Sequence, residues 1–195
     1  MPILSGLSTN RNKLRICVAF EYRGPKHPNS FHSSILLVPK STGSSSSTTW
    51  KFHGTNALRP PDITGQTQIQ DIIVNDNIPW RYESKETEVR TIRLQALMFL
   101  GKLSADIGIS ELDAILRDHV AVVQDDPSWN CNAWTTSAIE AIHEQGIIDI
   151  PISAQMIMGN GKKFAICTKL DYTVPVPTCD IYGQNIDSLV TTGLE

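Results

Sequence analysis

Residues 128–146, SWNCNAWTTSAIEAIHEQG, hold the pattern on which the interpretation of this chain depends. Their apolar side chains recur at helical spacing, which predicts an α-helix with one buried face. Gly146 is typical of the left-handed residue that ends a helix. The helix is therefore predicted to begin near Ser128. Its buried stripe is predicted to contain Cys131, Trp134, Ala138 and Ile142.

The chain upstream of this helix is rich in predicted β-strands. Apolar and polar residues alternate over residues 14–20, which is typical of a half-buried strand. Two β-prone segments, 32–40 and 48–53, flank the serine-rich residues 41–47, so residues 32–53 are predicted to form a hairpin with a flexible tip. Further strands are predicted at residues 69–74, 80–83 and 91–103. For the last of these, periodicity alone does not exclude a helix.

The remaining segments complete an α+β prediction. Ser110 and Asp113 have the spacing of a capping box, which predicts a short helix to about residue 118. One or two strands are predicted after Gly146, for example at residues 164–170. Residues 1–13 are expected to be a flexible N-terminus and 173–195 a loosely attached C-terminal arm. Residues 14–172 are thus predicted to form a single domain, a small antiparallel sheet packed with helices.

Composition excludes several classes of function. The 195 residues are 41% hydrophobic and 19% charged, as in ordinary globular proteins, and the formal net charge is −3. No basic cluster suggests nucleic acid as a partner. No apolar segment is long enough for a signal peptide or a membrane span, which favours a soluble cytoplasmic protein without integral membrane association. The four cysteines are scattered, so disulfides, a metal site and a cofactor are not expected. Oligomeric state is left open.

Cys131 is the first candidate for chemistry. Its predicted place in the first turn of a helix favours a thiolate, because the helix N-terminus carries a partial positive charge. Free backbone N–H groups of that turn can hold a developing oxyanion. The alternative is that Cys131 is a small buried hydrophobic residue, as expected of Cys17 and Cys167 within predicted strands.

Two histidines strengthen the case for catalysis. A turn centred near residue 43 or 44 places His32 opposite about residues 54–56, at the same end of the hairpin as His53. Two adjacent imidazoles can act as a base and the group that orients it, whereas the alternative is a pair of surface histidines. His143 is excluded as a partner of Cys131, because twelve helical residues span about 18 Å. His27 and His119 are expected to be solvated.

These residues occur in an order that resembles the permuted papain-like fold. That fold includes NlpC-type proteins, lecithin–retinol acyltransferase and the H-rev type phospholipase/acyltransferases. The chain is more similar still to a group of uncharacterised fungal proteins. The segments that carry this resemblance are PheHisSerSerIleLeuLeu (31–37), PheHis (52–53), TrpArgTyrGlu (80–83), IleArgLeuGlnAlaLeuMetPheLeuGlyLys (92–102) and TrpAsnCysAsnAlaTrp (129–134).

The resemblance implies a role for each residue. Cys131 matches the nucleophile, His32 the general base and His53 the residue that orients it. The chain departs from the acyltransferases where their His-Trp-Ala becomes His32-Ser33-Ser34 and where their membrane anchor is missing. Four further residues are candidates for substrate binding: Trp80, Trp129, Asn130 and Trp134. For the three tryptophans, the favoured alternative is a buried position in the core.

The leading hypothesis is cysteine-dependent acyl chemistry through a thioester on Cys131. The substrate would be a small molecule with an acyl or amide group, and the acceptor either water or an amine or alcohol. One alternative is a catalytically silent module that binds a small molecule or a protein. Another is a fungal biosynthetic enzyme of specialised metabolism that reuses the cleft for cyclisation or condensation.

Overall fold

A computed structural model describes residues 14–40, 48–57, 78–171 and 173–190. The predicted N-terminus at residues 1–13, the connector at 41–47 and the strand at 69–74 lie outside the described residues. Within them the chain forms seven strands and three helices. The strands are β1 (Leu14–Tyr22), β2 (Phe31–Pro39), β3 (Thr48–Thr55), β4 (Arg81–Glu88), β5 (Leu94–Lys102), β6 (Thr178–Cys179) and β7 (Asn185–Ile186). The helices are α1 (Ile109–His119), α2 (Cys131–Glu144) and α3 (Ala154–Cys167).

The seven strands form one sheet in the order β4-β3-β2-β1-β5-β6-β7. Neighbouring strands are antiparallel except β5 and β6, which are parallel. The α+β prediction is therefore confirmed, but the sheet is mixed rather than antiparallel. The predicted hairpin is also present, since β2 and β3 pair with Ile35 opposite Phe52. Extended along the strands, this register places His32 opposite Thr55, within the predicted range of residues 54–56.

The main core lies between the sheet and the helices. Alternate residues of the strands, such as Val18 and Ile35, belong to the same buried cluster as α2. The stripe predicted for α2 is confirmed, because each of its four members is fully buried: Cys131, Trp134, Ala138 and Ile142. Asn130 caps α2 by accepting hydrogen bonds from two backbone N–H groups, and Gly146 has a φ of 68°. In α1, by contrast, Gly108 is the N-cap without a side-chain hydrogen bond, so the predicted capping box is wrong.

The opposite face of the sheet carries a smaller core that the C-terminal segment covers. Leu36 and Val38 of β2 are buried there, in one cluster with Val176 and Val190. The same segment contributes β6 and β7 to the sheet. Residues 173–190 are therefore not a loose arm, and both faces of β2 are buried.

The strand predicted at residues 164–170 is wrong, because residues 154–167 form α3. Ser153 caps this helix by accepting from the backbone N–H of Met156. Gly161, an unfavourable residue within helices, obscured the periodicity. A Cβ on it would lie 2.6 Å from Cζ of Phe20, so only glycine allows α3 to approach the sheet this closely.

Candidate active site

The structure brings His32 of β2 and His53 of β3 into direct contact. Nε2 of His32 lies 2.6 Å from Nδ1 of His53, and the rings meet edge to face with centroids 4.9 Å apart. Neither ring is on an exposed sheet edge, since β1 and β4 flank the two strands. His53 is only 5% exposed.

Strand alternation places both imidazoles on the face of the sheet that points away from α2. The neighbour of His32, Ser33, faces α2, because its Oγ lies 3.2 Å from the main-chain oxygen of Cys131. The neighbour of His53, Gly54, faces α2 as well, because a Cβ on it would lie 2.8 Å from Cγ of Trp134. Consecutive side chains of a strand point to opposite faces, so His32 and His53 project to the other side.

Cys131 lies on the α2 side of the sheet. It is the first residue of α2 and is fully buried. Its Sγ lies 4.0 Å from the main-chain oxygen of Phe31, the residue before His32. Of the three residues predicted to converge, His32 and His53 are thus in contact, whereas the sulfur of Cys131 lies on the other side of the sheet.

Glu83 is a member of the site that the sequence analysis did not single out. It lies on β4 directly opposite His53, and its Oε1 is 3.6 Å from Nε2 of that ring. The carboxylate also pairs with Lys85 at 2.7 Å and with Arg81 at 3.1 Å. The TrpArgTyrGlu segment predicted a strand, but no local pattern in the sequence indicated that Glu83 would lie opposite His53.

The position of Glu83 favours one tautomer for each ring. Nε2 of His53 is buried and has no hydrogen-bond partner among the described residues. A separation of 3.6 Å is too long for a hydrogen bond, yet the nearby negative charge favours an N–H over a lone pair on that nitrogen. His53 then accepts at Nδ1 from Nε2–H of His32. The lone pair at Nδ1 of His32 is left as the basic site of the pair.

Burial, assisted by nearby positive charge, keeps the two imidazoles neutral. Burial and then the positive charge of Lys51 lower the pKa of His32 to about 4. The same two causes lower the pKa of His53. Lys51 is itself 7% exposed, and its Nζ pairs with Oε2 of Glu21 at 2.5 Å. Burial raises the pKa of Glu83, but the hydrogen bond and charge of Lys85 outweigh it and bring the pKa to about 2.

A cavity of about 530 Å³ opens onto this face of the sheet. Both imidazoles line it, together with Lys51 and with residues at the adjoining ends of β1 and β5. Its size is within the range of small-molecule sites. Cys131 is not among its lining residues.

Three of the four predicted substrate-binding residues line a second cavity of about 690 Å³, namely Trp80, Trp129 and Asn130. The two tryptophan rings meet edge to face at 5.0 Å. Asn56 lines both cavities, so they adjoin. Trp134 lies elsewhere: it is fully buried and stacks on Tyr82 with ring centroids 5.6 Å apart, which makes it a core residue.

Two further features bear on the kind of site. Among the residues that the structure describes, no group of three or more histidine, cysteine or acidic side chains is arranged to hold a metal ion. In that same part of the chain, each helix is too short or too polar to cross a bilayer.

Comparison with known proteins identifies a family to which most of the chain is matched. A family model described as a family of unknown function (DUF6914) matches residues 13–156. The matched residues include His32, His53 and Glu83. The chain matches no curated protein and no solved structure.

Proposed function

The chain belongs to the DUF6914 family of unknown function, and we propose that it is an enzyme whose reaction centre is the relay Glu83–His53–His32. In this proposal His32 is a general base towards a small molecule bound in the 530 Å³ cavity. The observation that carries the proposal is the 2.6 Å contact between His32 and His53, with Glu83 on the far side of His53.

The relay can move a proton in two steps. Nδ1 of a neutral His32 takes a proton from water, or from another hydroxyl or amine, as that group attacks the substrate. The positive charge that develops on the imidazole pair is stabilised by the carboxylate of Glu83. His32 then returns the proton to the leaving group. We assign this chemistry to transfer of an acyl group from an ester or amide, because that is the reaction class of the families this chain resembles.

A second candidate is the thioester mechanism on Cys131. The order His32 on β2, His53 on β3 and Cys131 at the start of α2 supports a permuted papain-like arrangement. The contact between Sγ and the main-chain oxygen of Phe31 places the sulfur beside the strand that carries His32. This mechanism requires a rearrangement that brings Cys131 and His32 to the same side of the sheet, because Cys131 is fully buried and lies across the sheet from both rings.

Replacing Cys131 by alanine separates the two candidates. We expect Cys131→Ala to retain activity within about twofold in the hydrolysis of a panel of p-nitrophenyl esters, because the thiol takes no part in the relay. We also expect iodoacetamide near neutral pH to modify the exposed Cys167 and to spare Cys131. Cys167→Ala is the matched control. Loss of turnover in Cys131→Ala alone, in a folded protein, would establish the thioester mechanism and remove the relay as the reaction centre.

A further inference from the structure

The cavity beside His32 is strongly cationic. Four of its lining side chains are positively charged, Arg23, Lys51, Lys85 and Arg93, against the single carboxylate of Glu21. Lys51 pairs with Glu21 at 2.5 Å and Lys85 with Glu83 at 2.7 Å. The guanidinium groups of Arg23 and Arg93 form no ion pair with any residue that the structure describes.

The backbone holds these two arginines at the same end of the sheet as His32. Arg23 directly follows β1 and Arg93 directly precedes β5, and a hydrogen bond of 2.8 Å from the backbone N–H of Tyr22 to the carbonyl of Arg93 ties the segments together. In the β1–β2 register, Glu21 lies opposite His32. Both guanidinium groups therefore belong to the rim of the cavity on the side of the basic imidazole.

The floor of the cavity is built from buried polar groups. Lys51 and His53 are only 7% and 5% exposed, and Nε2 of His53 has no hydrogen-bond partner among the described residues. Because the ammonium of Lys51 is paired with Glu21 and that of Lys85 with Glu83, the uncompensated positive charge of the cavity comes from Arg23 and Arg93 at its rim. Guanidinium groups at the rim add donors whose planar geometry matches carboxylate and phosphate oxygens.

We propose that the substrate carries a carboxylate or phosphate group, held by Arg23 and Arg93, which presents its reacting bond to His32. This proposal names the substrate class of the function proposed above and rests on it for the reaction. The binding of the anion stands independently, because it needs only the cationic cavity. Arg23 and Arg93 are in this account residues that determine specificity.

Titration calorimetry with inorganic phosphate and with succinate tests the proposal. We expect at least one of the two anions to bind, the neutral succinamide not to bind, and the double variant Arg23→Gln/Arg93→Gln to weaken anion binding at least tenfold. Phosphate binding alone assigns a phosphate group to the substrate, and succinate binding alone a carboxylate. Both arginines are exposed, so folding should tolerate the change. Lys162→Gln, which removes an exposed cation from α3, is the matched control and should bind like the wild type.

Two further measurements distinguish a failure of the anion site from a failure of the proposed reaction. A bound anion should raise the pKa of His32, because a nearby negative charge favours the imidazolium form. His32→Gln should bind the anion within about threefold of the wild type. Anion binding together with full turnover by His32→Gln would overturn the relay and leave the anion site standing. Absence of binding of both anions to the wild type, or equal binding by the double arginine variant, would overturn the anion site.

Discussion

Replacing His32 by glutamine should lower kcat/KM for p-nitrophenyl ester hydrolysis by about 10²- to 10⁴-fold, the range typical for loss of a general base. Glutamine is similar in size and can still donate a hydrogen bond to Nδ1 of His53, so the cavity and the packing around it are preserved. It has no group that accepts a proton near neutral pH. The loss should fall on kcat rather than on KM, because His32 acts on the reacting group and does not anchor the substrate.

His119 provides the control for this variant. It is exposed in the last turn of α1, and His119→Gln should hydrolyse the esters at the wild-type rate. Circular dichroism of both variants checks that the fold is retained. A His32→Gln protein that keeps more than half of the wild-type kcat/KM would contradict the assignment of His32 as the base.

Acidification should destabilise the protein through His32. The pKa of His32 is about 4 in the folded state, whereas the pKa of a histidine in the unfolded chain is about 6.5. As the pH falls through this window, the unfolded state binds a proton and the folded state does not. The free energy of unfolding therefore decreases between about pH 6.5 and pH 4, by roughly 1.4 kcal/mol per pH unit for this group. Above that window His32 contributes no pH dependence.

Urea unfolding at about pH 6.5 and pH 4.5 measures this effect. Relative to the wild type, His32→Gln should lose about 2 to 3 kcal/mol less on acidification, because the variant has no group at that position to protonate. Part of the remaining loss comes from His53, whose pKa is lowered in the same direction, and part from carboxylates with lowered pKa values, such as Glu83. His119→Gln should lose as much as the wild type. An equal loss in His32→Gln and the wild type would mean that His32 is not held neutral by its surroundings.

The contact between the two histidines was predictable because it depends on local geometry. An antiparallel hairpin with a short connection has few possible registers, and those centred near residue 43 or 44 bring position 32 close to position 53. The buried face and the C-terminal end of α2 were predictable for a similar reason, since helical periodicity and a terminal glycine lie within one short segment. The start was predicted near Ser128, whereas the helix begins at Cys131 after its cap Asn130.

The face on which the histidines lie was not predictable. Alternation reveals the inner face of a strand only when the other face is polar, and in β2 both faces are buried. Ser33 and Ser34 look equivalent in the sequence, yet Ser33 contacts α2 and Ser34 faces the other way. Because adjacent residues project to opposite faces, a shift of one residue decides whether His32 meets Cys131. Only the packed structure specifies that choice.

The role of Glu83 and the parallel pairing of β6 could not be predicted for a different reason. Both depend on contacts between segments distant in the chain, and no local pattern encodes which residues then face one another. Glu83 faces His53 because β4 joins the edge of the hairpin in one particular register. The C-terminal segment joins the opposite edge, beside β5. The sequence predicted a strand at β4 and a loose arm at the C-terminal segment. In neither case did it indicate which strand the segment would pair with.

Nitrogen-edited NMR of the histidine rings, recorded from about pH 7.5 to pH 3.5, tests the relay most directly because it requires no substrate. It reports for each ring which nitrogen carries the proton and at what pH the ring becomes charged. The relay predicts that near pH 7 both His32 and His53 are neutral with the proton on Nε2, and that His32 becomes protonated near pH 4. A His32 ring that carries its proton on Nδ1, or whose pKa is near the ordinary value of about 6.5, would contradict the account.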